Sequence, residues 1–138
     1  MNYLAIAAGG FIGAALRYLV GQWLEPLLRG MDGPWFLNGT MMVNLAGCLV
    51  LGAFAAASER LGFSKPLHLG ISVGLIGSFT TFSTFSVEVL QMIEPGHLAS
   101  AAAYVLISVF GGVLFTGIGW WTAGRLAERW ASRKAVRP

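Results

Sequence analysis

Three stretches of this chain contain no Asp, Glu, Lys or Arg: residues 33–58, 66–87 and 96–124. A bilayer core about 30 Å thick takes about 20 mainly apolar residues of helix, so each stretch is long enough to cross once. A fourth apolar segment, residues 3–28, is interrupted by Arg17 and reaches Glu25 near its end. Backbone N–H and C=O groups find no water in hydrocarbon, so spans of this kind are helical. The expected fold is an all-α integral membrane protein with four transmembrane helices. Composition agrees: 11% of the 138 residues are charged, under half of the roughly 25% usual in a soluble domain. A water-soluble enzyme has little room here.

The spans are expected at about residues 2–28, 35–58, 67–93 and 98–123, with the last helix continuing through Arg129. Between them stand turn residues: Arg29-Gly-Met-Asp-Gly-Pro34, then Gly62 and Lys65-Pro66, then Glu94-Pro95-Gly96-His97. Every connection is short, so residues 1–126 read as one four-helix unit and residues 127–138 as a basic tail. The first segment has no basic residue before its apolar core and is followed by three more, so it reads as a helix and not as a removable signal. A basic segment beside a helix end suits anionic membrane lipid, whereas nucleic-acid binding needs a basic face on a folded domain; no nucleic-acid partner is expected.

Nineteen glycines, about twice the ordinary share, lie mostly within the spans. Gly9xxxGly13 and Gly70xxxGly74 offer smooth faces for helix packing in lipid. Gly9-Gly-Phe-Ile-Gly13 is not a dinucleotide loop, because no strand precedes it. The single cysteine, Cys48, reads as a small packing residue. His68 and His97 sit near helix ends without metal-ligand spacing. Asn38-Gly-Thr40 matches a glycan acceptor formally but lies too close to a span to serve as one.

The third span is the informative one. Gly77-Ser-Phe-Thr-Thr-Phe-Ser-Thr-Phe-Ser86 places six hydroxyl residues and three phenylalanines inside an apolar segment. Ser and Thr can bond back to their own helix, so a continuous Ser/Thr-rich packing helix is one outcome. The other is a helix unwound near residues 78–81, next to the permissive Gly77, with carbonyls exposed at membrane depth and suited to a cation. Phe82 and Phe85 share a stripe with Glu88. An aromatic pair at this spacing fits a core, and the positive edges of its rings fit an anion.

Polar residues recur on neighbouring spans. Asn44 is an amide with Thr40 one turn earlier, and Tyr104 and Ser108 have the same spacing on the fourth span. Glu88 suits an aqueous mouth or a proton carrier. Arg17 suits anchoring by snorkelling, attraction of anions toward a vestibule, or a salt bridge with Glu88.

These strings together resemble the small fluoride channel family, also known as the CrcB or Fluc camphor-resistance family. They are Gly9-Gly-Phe-Ile-Gly-Ala-Ala-Leu-Arg17-Tyr18, Gly39-Thr40-Met-Met-Val-Asn44-Leu-Ala-Gly47, the run from Gly74 through Thr80-Thr-Phe82-Ser-Thr-Phe85 to Glu88, and Ala103-Tyr104 with Ser108. The resemblance implies a passive fluoride channel, not an enzyme, that exports fluoride across the bacterial inner (cytoplasmic) membrane and reduces its toxicity. It also implies a third helix broken near midmembrane and two subunits packed antiparallel. The backbone carbonyls of Gly77 and Thr80 would hold a structural sodium ion, Na+, at the dimer interface. Phe82 and Phe85 would line the pores, Asn44 would donate to fluoride, and Thr40, Tyr104, Ser108 and Glu88 would belong to the polar track. Family members often carry a further hydroxyl one turn beyond Ser108, where this chain has Gly112.

Other functional classes are a proton-coupled exporter of organic cations and a nonconducting structural subunit of the membrane. An exporter built on a first-helix glutamate is disfavoured, since residues 1–24 hold no carboxylate. Charge bias bears on assembly. An even number of spans puts both termini on one side, with Arg60, Lys65, Arg125, Arg129, Arg133, Lys134 and Arg137, against Arg29 opposite. That favours cytoplasmic termini, whereas an antiparallel homodimer needs insertion in both senses. A heterodimer with an inverted paralogue would reconcile the two.

Overall fold

The computed structural model describes residues 2–29 and 38–135, with the side chains of Glu25, Arg29 and residues 129–135 outside the description. The expected turn over residues 30–34 and a helix start at Trp35 lie in the segment that is not described. All the described secondary structure is helical. Helix α1 is Asn2–Arg29, α2 is Gly39–Leu61, and α6 is Leu98–Ala135. Between α2 and α6 the third span is built in pieces: α3 (Lys65–Leu69), a π-helical segment (Gly70–Ile76), α4 (Gly77–Phe79) and α5 (Phe82–Ile93). Among the described residues, four helical segments are long and apolar enough to cross a membrane.

Local chemistry sets the ends. Asn38 is extended (φ −117°, ψ 173°) and its side chain accepts from Met41 N at 2.9 Å, capping α2. The glycan-like tripeptide is thus a helix start. Gly62 closes α2 in the left-handed region at φ 62°, and its N–H reaches Ser58 O at 3.2 Å. Gly96, at φ 89°, turns the chain between α5 and α6. Helix α6 has 38 residues, about 57 Å at 1.5 Å per residue, so it runs well beyond a bilayer core. Arg60 ties this extension to α2: it donates to Gly124 O and pairs with Glu128 at 3.0 Å. The exposed ion pair adds little by itself.

Two backbone-to-backbone contacts hold the bundle. Helix α1 lies on the π segment, where a Cβ at Gly9 would strike Gly70 O and one at Gly13 would strike Leu75 O. Helix α2 lies on α6, where Gly52 faces Thr116 O and Gly119 faces Leu49 O just as closely. With lipid on both sides there is no hydrophobic expulsion between helices, so close approach supplies the packing. Large apolar side chains point outward accordingly: Phe11 is 78% exposed and Trp23 85%. The small buried core, Met41, Met92, Ala101 and Tyr104, joins α2, α5 and α6 at one end of the bundle.

The sequence leaves the third span either broken or continuous, and it is broken. Residues 78 and 79 remain helical, and the interruption falls on Thr80 (φ −78°, ψ 157°) and Thr81 (φ −143°, ψ 121°). Thr80 is the sixteenth of the 29 residues of this span. Gly77 itself is right-handed helix (φ −62°), and a Cβ there would meet only Ser72 O at 3.7 Å. Its expected backbone permissiveness is not used within one chain.

Candidate ion pathway at the helix break

Asn44 accounts for the position of the break. Its Oδ1 accepts from Thr81 N at 2.8 Å and its Nδ2 donates to Thr81 O at 2.9 Å. The amide therefore pairs with Thr81 as a neighbouring strand would, and replaces the helical bonds that extended backbone gives up. One turn along α2, Gly47 leaves the room that the Thr80 methyl fills. Thr81 then restarts the helix: its Oγ1 accepts from Thr84 N at 3.2 Å.

These exchanges release two carbonyls. In an unbroken helix Thr81 N would bond Gly77 O and Thr84 N would bond Thr80 O. Here the first N–H goes to Asn44 and the second to the Thr81 hydroxyl. Gly77 O keeps only a long contact from Thr80 Oγ1, at 3.4 Å. The oxygens of Gly77 and Thr80, expected from the family resemblance as cation ligands, are thus among the carbonyls at the break that lack helical N–H partners. Their donor chemistry, neutral backbone oxygen, fits a hard monovalent cation.

The aromatic residues form a chain. Phe82, 79% exposed, packs on Phe85 with centroids 5.8 Å apart, and Phe85 packs on Tyr104 at 5.0 Å. Tyr104 is fully buried and donates to Glu88 Oε2 at 2.6 Å. Thr40 donates to Glu88 Oε1 at 2.6 Å, and Asn38 to Oε2 at 2.8 Å. Glu88 is a carboxylate held by three donors, and the Thr40 and Tyr104 hydroxyl protons are committed to it. The alternative pairing of Arg17 with Glu88 is not present. Arg17 instead lines a cavity of about 230 Å³ with Gln22, Thr40, Thr81 and Thr84, and it has no hydrogen-bond or ion-pair partner among the described residues. On the other side of Thr81 a cavity of about 350 Å³ is lined by Asn44, Thr80, Phe82, Phe85 and Ser108, among others. Thr81 is common to both.

Of the residues singled out from sequence, the structure gathers Asn44, Gly77, Thr80, Phe82, Phe85 and Ser108 at the break, and Thr40, Glu88 and Tyr104 in a cluster beyond Phe85. Asn38 and Thr81 are not among the pathway residues expected from sequence, although the first stands in the glycan-like tripeptide and the second in the expected break. An Asn just ahead of an apolar helix is a capping signal that could have found Asn38; nothing local distinguishes Thr81 from the hydroxyl residues around it.

A family model described as CrcB-like protein, Camphor Resistance (CrcB), matches residues 4–120. The chain belongs to the CrcB family. Among the relatives of this CrcB-family chain, the fluoride-specific ion channel FluC of Oceanobacillus iheyensis is 44% identical over 119 residues, covering 86% of this chain and 88% of that protein. FluC 2 of Moorella thermoacetica is 41% identical over 127 residues, or 91% and 99% of the two chains. FluC of Chloroflexus aurantiacus is 41% identical over 128 residues, or 89% and 98%. Similarity of this extent takes in all four spans and the break, not a single motif. With its four apolar spans and bacterial relatives, this CrcB-family chain is a multi-pass protein of the bacterial inner membrane.

Proposed function

We propose that the chain forms a passive, fluoride-selective channel that lets fluoride leave the cytoplasm down its gradient. The observation that carries this is the break itself: an uncharged, donor-bearing site at midspan, between one cavity lined by Arg17 and another edged by phenylalanine rings. Fluoride is small and strongly hydrated, so only closely set donors replace its water, and chloride is too large for the same contacts. Asn44 has two amide hydrogens and gives one to Thr81; the other is available on the cavity side. Phe82 and Phe85 contribute ring edges. Arg17 raises the anion concentration next to Thr81. None of these contacts is strong alone, which a conducting site requires.

The working unit in this proposal is an antiparallel homodimer, a heterodimer with an inverted paralogue being the alternative that the charge bias supports. A single chain leaves Phe82 and Gly77 exposed at midspan. Backbone freed at that depth is tolerated only where protein or a wet cavity covers it, and a second copy is the natural cover. At that junction the Gly77 and Thr80 carbonyls would hold the sodium ion, whose charge would offset the repulsion between their dipoles in a structural role.

Purified protein in sealed liposomes should release fluoride down its gradient without ATP or a proton gradient, with chloride at least about 100-fold slower. Equal release of both anions would overturn the proposal, as would strict proton coupling or proton-driven transport of organic cations. Replacing either ring, as Phe82→Ile or Phe85→Ile, keeps apolar volume but removes the polarised edge. Each should lower fluoride flux about tenfold or more. An aromatic pair contributes about 0.5–1.5 kcal/mol, so folding and dimerisation should survive, as size-exclusion chromatography would show.

A further inference from the structure

The larger cavity is bordered by a polar group that has no partner among the described residues and by a thiol that no part of the conduction scheme uses. Ser108 Oγ is buried and has no hydrogen-bond partner among the described residues, and Ser108 is one of the residues around this cavity, with Asn44, Thr80, Phe82 and Phe85. A buried hydroxyl in that state is uncommon, and its capacity to donate is not used within the single chain. Thr80 does not supply the partner, since its own hydroxyl turns back to Ile76 O at 3.2 Å. One turn along α6 from Ser108 stands Gly112, with no side chain. The point its Cβ would occupy is 3.4 Å from Cys48 Sγ, so the thiol reaches across from α2 toward the notch that Gly112 leaves. Cys48 is half-buried and lines the same cavity.

We propose that Cys48 is a specificity-determining residue of the anion path, its S–H standing with the Ser108 hydroxyl as a donor pair that holds a dehydrated fluoride beyond the Phe82–Phe85 rings. The thiol supplies from α2 the donor that α6 lacks at Gly112. S–H is a weak donor, which suits a site that must release the ion as readily as it takes it. This inference rests on fluoride conduction as proposed above.

Its test uses the full-length protein in liposomes. Cys48→Ala should lower fluoride flux about tenfold. Cys48→Ser, which keeps a donor, should hold flux within about threefold of the original. Cys48→Ala with Gly112→Ser returns a hydroxyl to the notch from the other helix and should recover most of the loss. Because this is the only cysteine, methyl methanethiosulfonate reports on one atom. The thiolate attacks the methyl-bearing sulfur, a disulfide forms as the S–SO2 bond breaks, methanesulfinate leaves with the electron pair, and the thiol proton goes to water. Labelling, followed by intact mass, should block fluoride flux and leave Cys48→Ser unaffected. Undiminished flux in Cys48→Ala would overturn the inference alone, and so would a labelled protein that conducts normally or a thiol that stays unlabelled while fluoride flows. Absence of flux in the unmodified protein would instead overturn the conduction proposal, and this inference with it.

Discussion

Asn44→Asp should abolish most fluoride flux, by about 100-fold or more at neutral pH, while the four helices still form. The substitution is nearly isosteric, so shape is not the cause. Asn44 Nδ2 donates to Thr81 O and Oδ1 accepts from Thr81 N; a carboxylate keeps the second bond and reverses the first. Two oxygens then face each other across less than 3 Å of low-dielectric interior, and the Thr81 carbonyl loses its donor. Leaving a buried carbonyl unsatisfied costs about 1–3 kcal/mol, and the unpaired charge adds to that. About 2.7 kcal/mol on a barrier corresponds to two decades of rate. The same charge repels the anion, so geometry and electrostatics act in one direction. Asn44→Leu separates them: it removes the clamp without adding charge, and it should also lose flux, though less. Liposome flux together with circular dichroism checks both variants. Asn44→Asp protein that is well folded and conducts normally would show that neither the clamp nor the amide donor matters to permeation.

The second large effect concerns assembly. Gly119→Val and Gly52→Val should each yield little or no monodisperse protein. A Cβ at Gly119 meets Ala53 N at 2.9 Å besides colliding with Leu49 O, and one at Gly52 collides with Thr116 O and comes within 3.0 Å of Thr116 Cα. Every obstacle is backbone, so no rotamer change relieves it. The helices must separate instead, and in lipid no hydrophobic force compensates for the lost contact. Gly117 lies on α6 two residues from Gly119 but has nothing within 4 Å of its Cβ position. Gly117→Ala should therefore be tolerated, since in a helix alanine is favoured over glycine by about 1 kcal/mol. Size-exclusion profiles of the three variants make the comparison. A monodisperse Gly119→Val protein would mean that α2 and α6 do not approach as described.

The two effects differ in where their cause can be seen. Glycine richness is visible in sequence, but of two glycines on one helix only the packing distinguishes Gly119 from Gly117. Similarly, six hydroxyl residues in nine positions show that the third span is unusual, without showing which of them leaves the helix.

What the sequence determined by itself is whatever depends on local runs of residues. Charge-free stretches set four spans because hydrocarbon admits few charges and no unpaired backbone. Gly62 and Gly96 set turns, and the Ser/Thr/Phe run of the third span marks where the polar site must lie. Tertiary structure decided the rest because its causes are distant in the chain. Thr81 unwinds because Asn44, 37 positions earlier, offers both a donor and an acceptor. Glu88 is neither a free carboxylate nor a partner of Arg17, because Asn38, Thr40 and Tyr104 reach it from two other helices. Gly77 is an ordinary helical residue whose carbonyl is freed only because the N–H four residues on has been taken by α2. Local sequence can indicate that a helix is weak at some place; which bonds replace those it loses depends on the neighbours that folding brings alongside.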